Sequence, residues 1–291
     1  MSKKVIIIGG SGFLGSHVAD VLSKIGYNVV LFDKTKSKWI KKNQRMLVGN
    51  IQNISSLKKA IRGAEFVYNF AAIADIGEAL GNPINTVKTN ILGTVNILET
   101  CRKYKVKRFV FASSIYAHSS QGGFYRTSKQ SSELYIEEYN QRYGLNYTIL
   151  RFGTVYGPRA DIRNNLSRII FNALNKGNIK YSGTSKAKRQ FIHVKDAARA
   201  SINILSKKFI NKNILVTGKR TSKIKDVLYL VANLLKISRK PKFANINQLG
   251  HYDSSPYSYK PKTDKKYFVK SPIKLKQGIK ELIDEFKNKK K

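Results

Sequence analysis

Short apolar runs alternate with longer amphipathic stretches through the first half of the chain. Residues 5–8, 27–32, 66–70, 108–112 and 147–150 are mostly apolar runs that predict strands buried on both faces. Between them, 84–104 and 125–143 carry apolar positions at helical spacing. Such alternation predicts a parallel sheet covered on both faces, with ligands bound beyond the carboxyl ends of the strands. Past Gly157 and Pro158 the alternation weakens. Helices are expected near 166–174 and over 224–235, a strand-like run at 190–193 leads into another helix, and 214–216 reads as one more strand. Residues 238–272 hold most of the prolines and little periodicity, which predicts irregular structure in a smaller second domain. There is no internal repeat, and no flexible linker separates the parts.

The first strand breaks into Gly9-Gly10-Ser11-Gly12-Phe13-Leu14-Gly15 before the chain enters a helix. This is the spacing of a dinucleotide pocket. Gly9 permits the tight turn, Gly12 lets the backbone approach phosphate oxygens, and Gly15 lets the helix pack closely on its strand. The N–H groups opening that helix then face the negative charge. The second strand delivers Asp33 where a carboxylate would grip the adenosine ribose hydroxyls and repel a 2′-phosphate, which favours NAD over NADP. Lys34, Lys36 and Lys38 follow it and would neutralise such a phosphate, so NADP stays open.

At 291 residues the chain can bury a large core. The apolar opening is too short to span a membrane and runs into glycines where a signal peptide would continue, so a cytoplasmic protein is expected. The single Cys101 excludes an internal disulfide and fits a reducing compartment. His17, His118, His193 and His251 are scattered, and no cluster has metal-ligand spacing, so no metal is expected. The formal charge of +38 invites a nucleic-acid reading. Yet lysine dominates and is spread along the whole chain, as on a solvated surface, with only the last few residues resembling a basic patch. Nucleic acid is therefore disfavoured as a partner, whereas a positive field would draw in an anionic, nucleotide-linked substrate.

Tyr125 and Lys129 stand one helical turn apart, on a shared face. A tyrosine is a poor base at its usual pKa of about 10, but a neighbouring ammonium and a positive nicotinamide both favour the phenolate. Such a pair would take a proton from a sugar or alcohol hydroxyl as hydride leaves for the cofactor. Ser113-Ser114 follow the 108–112 strand at the ligand edge, where a serine hydroxyl would share that proton.

With these motifs in this order, the chain resembles the extended short-chain dehydrogenase/reductases, and among them the NAD-dependent nucleotide-sugar epimerases and dehydratases. The resemblance runs from Val5 to Val216. It rests on the glycine turn, Asp33, Gly49-Asn50-Ile51, Phe70-Ala71-Ala72, the segment from Thr89 to Thr94, Ser113-Ser114, and Tyr125 with Lys129. Farther along it rests on Arg151, on Val155 to Arg159, and on Arg189 to Asp196. It implies an α/β fold: a Rossmann-type doubly wound parallel sheet with a smaller C-terminal substrate-binding domain. The NAD-binding part would take 1–157 and 190–217, and the nucleotide-sugar part 158–189 and 218–291.

The same resemblance implies Ser114, Tyr125 and Lys129 as the catalytic triad, with Lys129 also holding the nicotinamide ribose. It makes Asn90 the support of that lysine, Ile51 a wall of the adenine site, and Phe70-Ala71-Ala72 a loop beside the cofactor, with Phe13 and Leu14 in the phosphate turn. Arg189 would meet the diphosphate of the substrate and Arg159 would contribute nearby, since a guanidinium fork bonds two phosphate oxygens at once. The helices near 84–104 and 125–143 resemble those that form a four-helix homodimer interface. Three positions depart from the family pattern: Asn50 replaces an adenine-reading aspartate, Asn69 a common histidine, and Thr154 an asparagine that contacts substrate. The interval from Ser114 to Tyr125 is also short, which reshapes the sugar pocket. Residues 254–261 are either a lining of that pocket or a surface loop.

The expected reaction is C4 epimerisation of a nucleotide sugar for surface polysaccharide or sugar-nucleotide metabolism. It would pass through a transient 4-keto intermediate, with Tyr125 as acid and base. A 4,6-dehydratase needs an acidic pair where this chain has Ile115-Tyr116, and a keto-sugar reductase would draw on external NAD(P)H. A non-catalytic dinucleotide- or RNA-binding protein of the same fold is the alternative from another class, and retention of Ser114, Tyr125, Lys129 and Asn90 argues against it.

Overall fold

The computed structural model describes residues 2–244, 251 and 265–288. The first six strands are β1 (Lys4–Ile8), β2 (Asn28–Asp33), β3 (Gln44–Val48), β4 (Phe66–Asn69), β5 (Arg108–Ser114) and β6 (Tyr147–Phe152). Short strands follow at β7 (Thr154–Tyr156), β8 (Lys180–Tyr181), β9 (Lys188–Arg189) and β10 (Phe191–His193). Last come β11 (Lys212–Val216), β12 (Ser222–Lys223), β13 (Lys242–Phe243) and β14 (Lys265–Tyr267). The α-helices of the first half are α1 (Phe13–Lys24), α2 (Ile54–Ile61), α3 (Ile76–Gly81), α4 (Pro83–Thr86), α5 (Gly93–Lys103) and α6 (Gly123–Tyr143). The second half adds α7 (Asn165–Lys176), α8 (Val194–Asn203), α9 (Ile224–Leu235) and α10 (Leu275–Asn288).

Eight strands form one sheet in the order β14-β11-β6-β5-β4-β1-β2-β3, every pair parallel. The order reverses beside β1, so β1 and β4 diverge there and open the crevice in which such a sheet takes its ligand. The apolar run of β1 is divided between two cores. Val5 and Ile7 pack with Val18 and Leu22 of α1 and Ala197 of α8, while Ile6 and Ile8 pack with Leu57 of α2 and Ile97 of α5. Each such buried aliphatic side chain contributes about 2 kcal/mol. A third core joins Ile170 of α7, Val227 and Leu228 of α9, and Ile279 and Leu282 of α10.

Three details differ from expectation. The helix expected over 84–104 is divided into α4, a π-helical turn at Val87–Leu92, and α5. Pro83 starts a fresh helix, and the extra residue in the π turn rotates the helix face. Residues 238–272 are not wholly irregular, because β13 pairs with β8 and β14 extends the main sheet beyond β11. Strands of two or three residues are too short to show alternation. The edge strand β3 escapes the same test, since one face of Gln-Arg-Met-Leu-Val meets solvent. Residues 254–261 lie outside the described residues.

Candidate active site

β1 runs straight into the glycine turn. Gly9 has φ +78°, and a Cβ there would stand 2.6 Å from the amide nitrogen of Ala71. No side chain caps α1 at Gly12, so the N–H groups of its first turn are left to a ligand. The turn is tied to the end of β2, where the Ser11 N–H donates to Asp33 Oδ2 at 3.0 Å. At the end of β4, Asn69 Oδ1 accepts from the Ala71 N–H at 3.0 Å and its amide donates to Thr94 Oγ1 at 3.2 Å. Asn69 thus fixes the loop beside the turn, a task its amide performs without the histidine common in the family. A backbone turn with no Cβ at 9, 10, 12 and 15 and with uncapped amides fits a dinucleotide pyrophosphate.

β5 carries Ser114 to the same edge of the sheet, and a short 3₁₀ turn at Ile115–His118 follows. The short interval to Tyr125 is closed by a glycine turn. Gly122, at φ +112°, lies against the ring of Tyr116 and lets the chain double back into α6. Tyr125 therefore falls in the first turn of α6, and its phenol hydrogen bonds to Ser114. Lys129, one turn on, is 3% exposed; its Nζ donates to Ala112 O at 2.7 Å and lies 5.9 Å from the Tyr125 ring centroid. Burial pushes the Tyr125 phenol up to about 12, against the opposing pull of Ser114. Burial also brings Lys129 down to about 8, with Glu133 holding it up. The site on its own therefore holds Tyr125 protonated, and the lysine by itself does not offset the loss of water.

Behind the triad lies a polar cluster missed by the sequence reading. Glu133, one turn beyond Lys129, accepts from Arg151 Nη2 at 2.7 Å and Nε at 3.1 Å, from Ser113 Oγ, and shares a 3.1 Å contact with His118 Nε2. Arg151 and Glu133 are both buried, so this carboxylate joins β5, β6 and α6 in the interior. Its signal in the sequence was the spacing Tyr125, Lys129, Glu133, which continues one helix face. Hydrogen bonding from Arg151, Ser113 and His118 overcomes the effect of burial and keeps the Glu133 carboxyl below its ordinary range.

The π turn explains Asn90. Its amide donates to Ile73 O at 3.0 Å and to Ser128 Oγ at 2.9 Å, while its Oδ1 accepts from the Ile73 N–H at 2.8 Å. It thus supports α6 beside Lys129 by way of Ser128.

A cavity of about 840 Å³ joins these parts. Gly9, Gly12, Phe13, Leu14 and Gly15 line one end, with Phe70 and Ala72. Ser114, Tyr125 and Lys129 stand in the middle, and Thr154, Arg159 and Arg189 farther along. Asp33, Asn50, Ile51, Ala71 and Asn90 are not on its wall. Ile51 packs on Gly93, where a Cβ would come 2.4 Å from its Cδ1, and Asn50 Oδ1 accepts from the Gln52 N–H at 2.9 Å. Trp39, Asp75, Tyr116, Arg168 and His251 also line the cavity. Nothing in their spacing marks them, since they come from separate loops and helix ends. Among the described residues there is no group of three or more His, Cys, Asp or Glu side chains able to hold a metal, and no helix long and apolar enough to cross a membrane.

The sequence profile of the NAD dependent epimerase/dehydratase family matches residues 5–217. A UDP-glucuronate 4-epimerase of Thermodesulfobacterium geofontis is 29% identical, over 84% of this chain and 84% of its own length. Among solved structures, the UDP-glucose 4-epimerase of Thermotoga maritima with UDP-glucose superposes with a TM-score of 0.86 at 25% identity, covering 99% of this chain and 100% of that one. The Thermus thermophilus UDP-glucose 4-epimerase in complex with NAD superposes with a TM-score of 0.82 at 25% identity, covering 98% and 99%.

Proposed function

Because the chain belongs to the NAD dependent epimerase/dehydratase family, whose cofactor is NAD, we propose that it inverts C4 of the hexose in a UDP-sugar. The observation that carries this reading is the placement of Ser114, Tyr125 and Lys129 in one cavity with the glycine turn, the Tyr125 phenol bonded to Ser114. Bound NAD supplies a hydride acceptor that later returns the hydride, so none is consumed. Tyr125 removes the proton of the sugar 4-hydroxyl, with Ser114 holding the same oxygen and Lys129 supplying positive charge beside the phenolate. The 4-keto sugar would then turn within the cavity to present its other face to the cofactor, and Tyr125 would return the proton to the 4-oxygen. Elimination of water is disfavoured, since positions 115 and 116 are isoleucine and tyrosine and bring no acid to the sugar.

Arg189 is 8% exposed on β9, and we assign it to the substrate diphosphate. For the division into an NAD part and a nucleotide-sugar part at 157, 190 and 217, the third core is the support, drawn mostly from 166–187, 224–232 and 279–283, while β14 of the second part joins the main sheet. Exposed Ile84, Val87 and Leu92, beside exposed Phe124, Leu134 and Tyr135 on α6, support a homodimer through these helices.

A panel of UDP-glucose, UDP-N-acetylglucosamine and UDP-glucuronate, incubated without added cofactor, tests the reaction. Epimerised product is expected from at least one, and Tyr125→Phe should lower turnover by about 10²–10⁴-fold while NAD stays bound. Stoichiometric consumption of NADPH with no epimer would instead identify a reductase. Salt-sensitive RNA retention without turnover, unchanged in Tyr125→Phe, would sink the enzymatic reading.

A further inference from the structure

We propose that Arg159 serves the cofactor: its guanidinium, held on Asp20 beneath α1 and stacked on Trp39, donates to the pyrophosphate of bound NAD, leaving the substrate diphosphate to Arg189. This rests on the NAD-binding reading of the glycine turn.

The turn after β7 brings Arg159 to this place against a local cost. Its φ of +67° lies in the left-handed region, which a long side chain seldom adopts. Two contacts hold it there. The Arg159 N–H donates to both carboxylate oxygens of Glu285 on α10, at 3.1 and 2.9 Å, and the Pro158 carbonyl meets His17 Nε2 of α1 at 3.0 Å. From this anchored backbone the guanidinium donates through Nη2 to Asp20 Oδ2 at 2.7 Å. Its Cζ also lies 5.0 Å over the ring of Trp39, in the β2–β3 connection. Three segments distant in sequence thus converge beside the first helix.

Two features point to an anion there. Asp20 also receives Lys41 Nζ at 3.2 Å and the Gln44 amide at 3.2 Å, so the Arg159 guanidinium shares this carboxylate with a second cation, while Glu285 is engaged by the Arg159 backbone N–H. Moreover, Arg159 Nη1 is buried and has no hydrogen-bond partner among the described residues. A buried guanidinium N–H is costly to leave unmatched. Arg159 and Trp39 line the same cavity as Gly12 and Phe13, and the glycine turn itself carries no cation. The pyrophosphate belonging at that turn offers the acceptor oxygens that Nη1 lacks.

Trp39 is the only tryptophan and gives a direct readout. Apo-protein titrated with NADH, followed by quenching of Trp39 and by energy transfer to the nicotinamide, gives the cofactor affinity; titration calorimetry with UDP gives that of the substrate nucleotide. Arg159→Ala is expected to weaken NADH at least tenfold and to change UDP less than twofold. Arg189→Ala should do the reverse. If Arg159→Ala fails to fold by circular dichroism, Arg159→Lys, which keeps the charge and loses the fork, and Asp20→Asn, which loosens the guanidinium, are each expected to weaken NADH three- to tenfold with UDP unchanged. Unchanged NADH affinity in folded variants overturns the proposal, and so does a loss confined to UDP, which would return Arg159 to the substrate. Wild-type protein that binds no NADH would overturn the dinucleotide reading itself, a result distinct from wild type and variants binding alike.

Discussion

Tyr125 and Lys129 show how far side-chain identity and side-chain state can differ. Spacing alone suggests an ammonium that helps a phenol ionise, yet burial acts on both partners and drives them toward their neutral forms. The remaining positive charge has to arrive with the cofactor. A positive charge brought beside a buried phenol favours the phenolate. Loading with NAD should therefore lower the Tyr125 ionisation from about 12, read as the tyrosinate absorbance difference between wild type and Tyr125→Phe. Lys129 carries a stability consequence with a definite sign. Its folded pKa of about 8 lies below the usual 10.5, so between these values the unfolded chain binds more protons. Urea midpoints of wild type relative to Lys129→Met should thus rise as pH increases from about 8 to 10. Glu133 sets a different kind of limit. Removing it strands Arg151 in the interior, and Glu133→Ala should lose roughly 3–5 kcal/mol in urea denaturation.

α6 inverts the pattern by which helices are usually recognised. Its buried face is Ser128, Lys129, Ser132, Glu133 and Ile136, whereas Phe124, Leu134 and Tyr135 face outward. A helix that forms the wall of a reaction site buries polar groups because they have partners there, as Ser132 Oγ has in Asn90 O at 2.9 Å. The neighbouring π turn serves the same end: one extra residue in the helix brings Asn90 inward to clamp Ile73 and Ser128. Asn90→Ala would leave the Ile73 N–H and C=O unmatched. It should cost about 2–3 kcal/mol, checked by thermal and urea unfolding, and hydrogen exchange at Ile73 should quicken.

At the scale of the molecule, the proposed homodimer rests on the outward apolar face of α6 and the exposed Ile84, Val87 and Leu92. Leu134→Asp should shift the protein from dimer to monomer in size-exclusion chromatography with light scattering; wild type running as a monomer would refute the dimer. The sequence by itself determined the parallel sheet, the glycine turn and the order Ser114, Tyr125, Lys129, because each depends on local periodicity or on residues close together in the chain. Asp33 and Tyr125 stand where the local pattern places them, at the end of β2 and in the first turn of α6, whereas Arg189 was singled out by the family resemblance and not by any local period. Hidden from it were the short strands β13 and β14, whose two or three residues cannot show a period. Hidden too were the place of Trp39 on the cavity wall and the partners of Glu133, Arg159 and His251. Only the tertiary structure decided these, since a side chain's charge state and its bonding partner depend on which distant segments fold against it and on how much water they exclude.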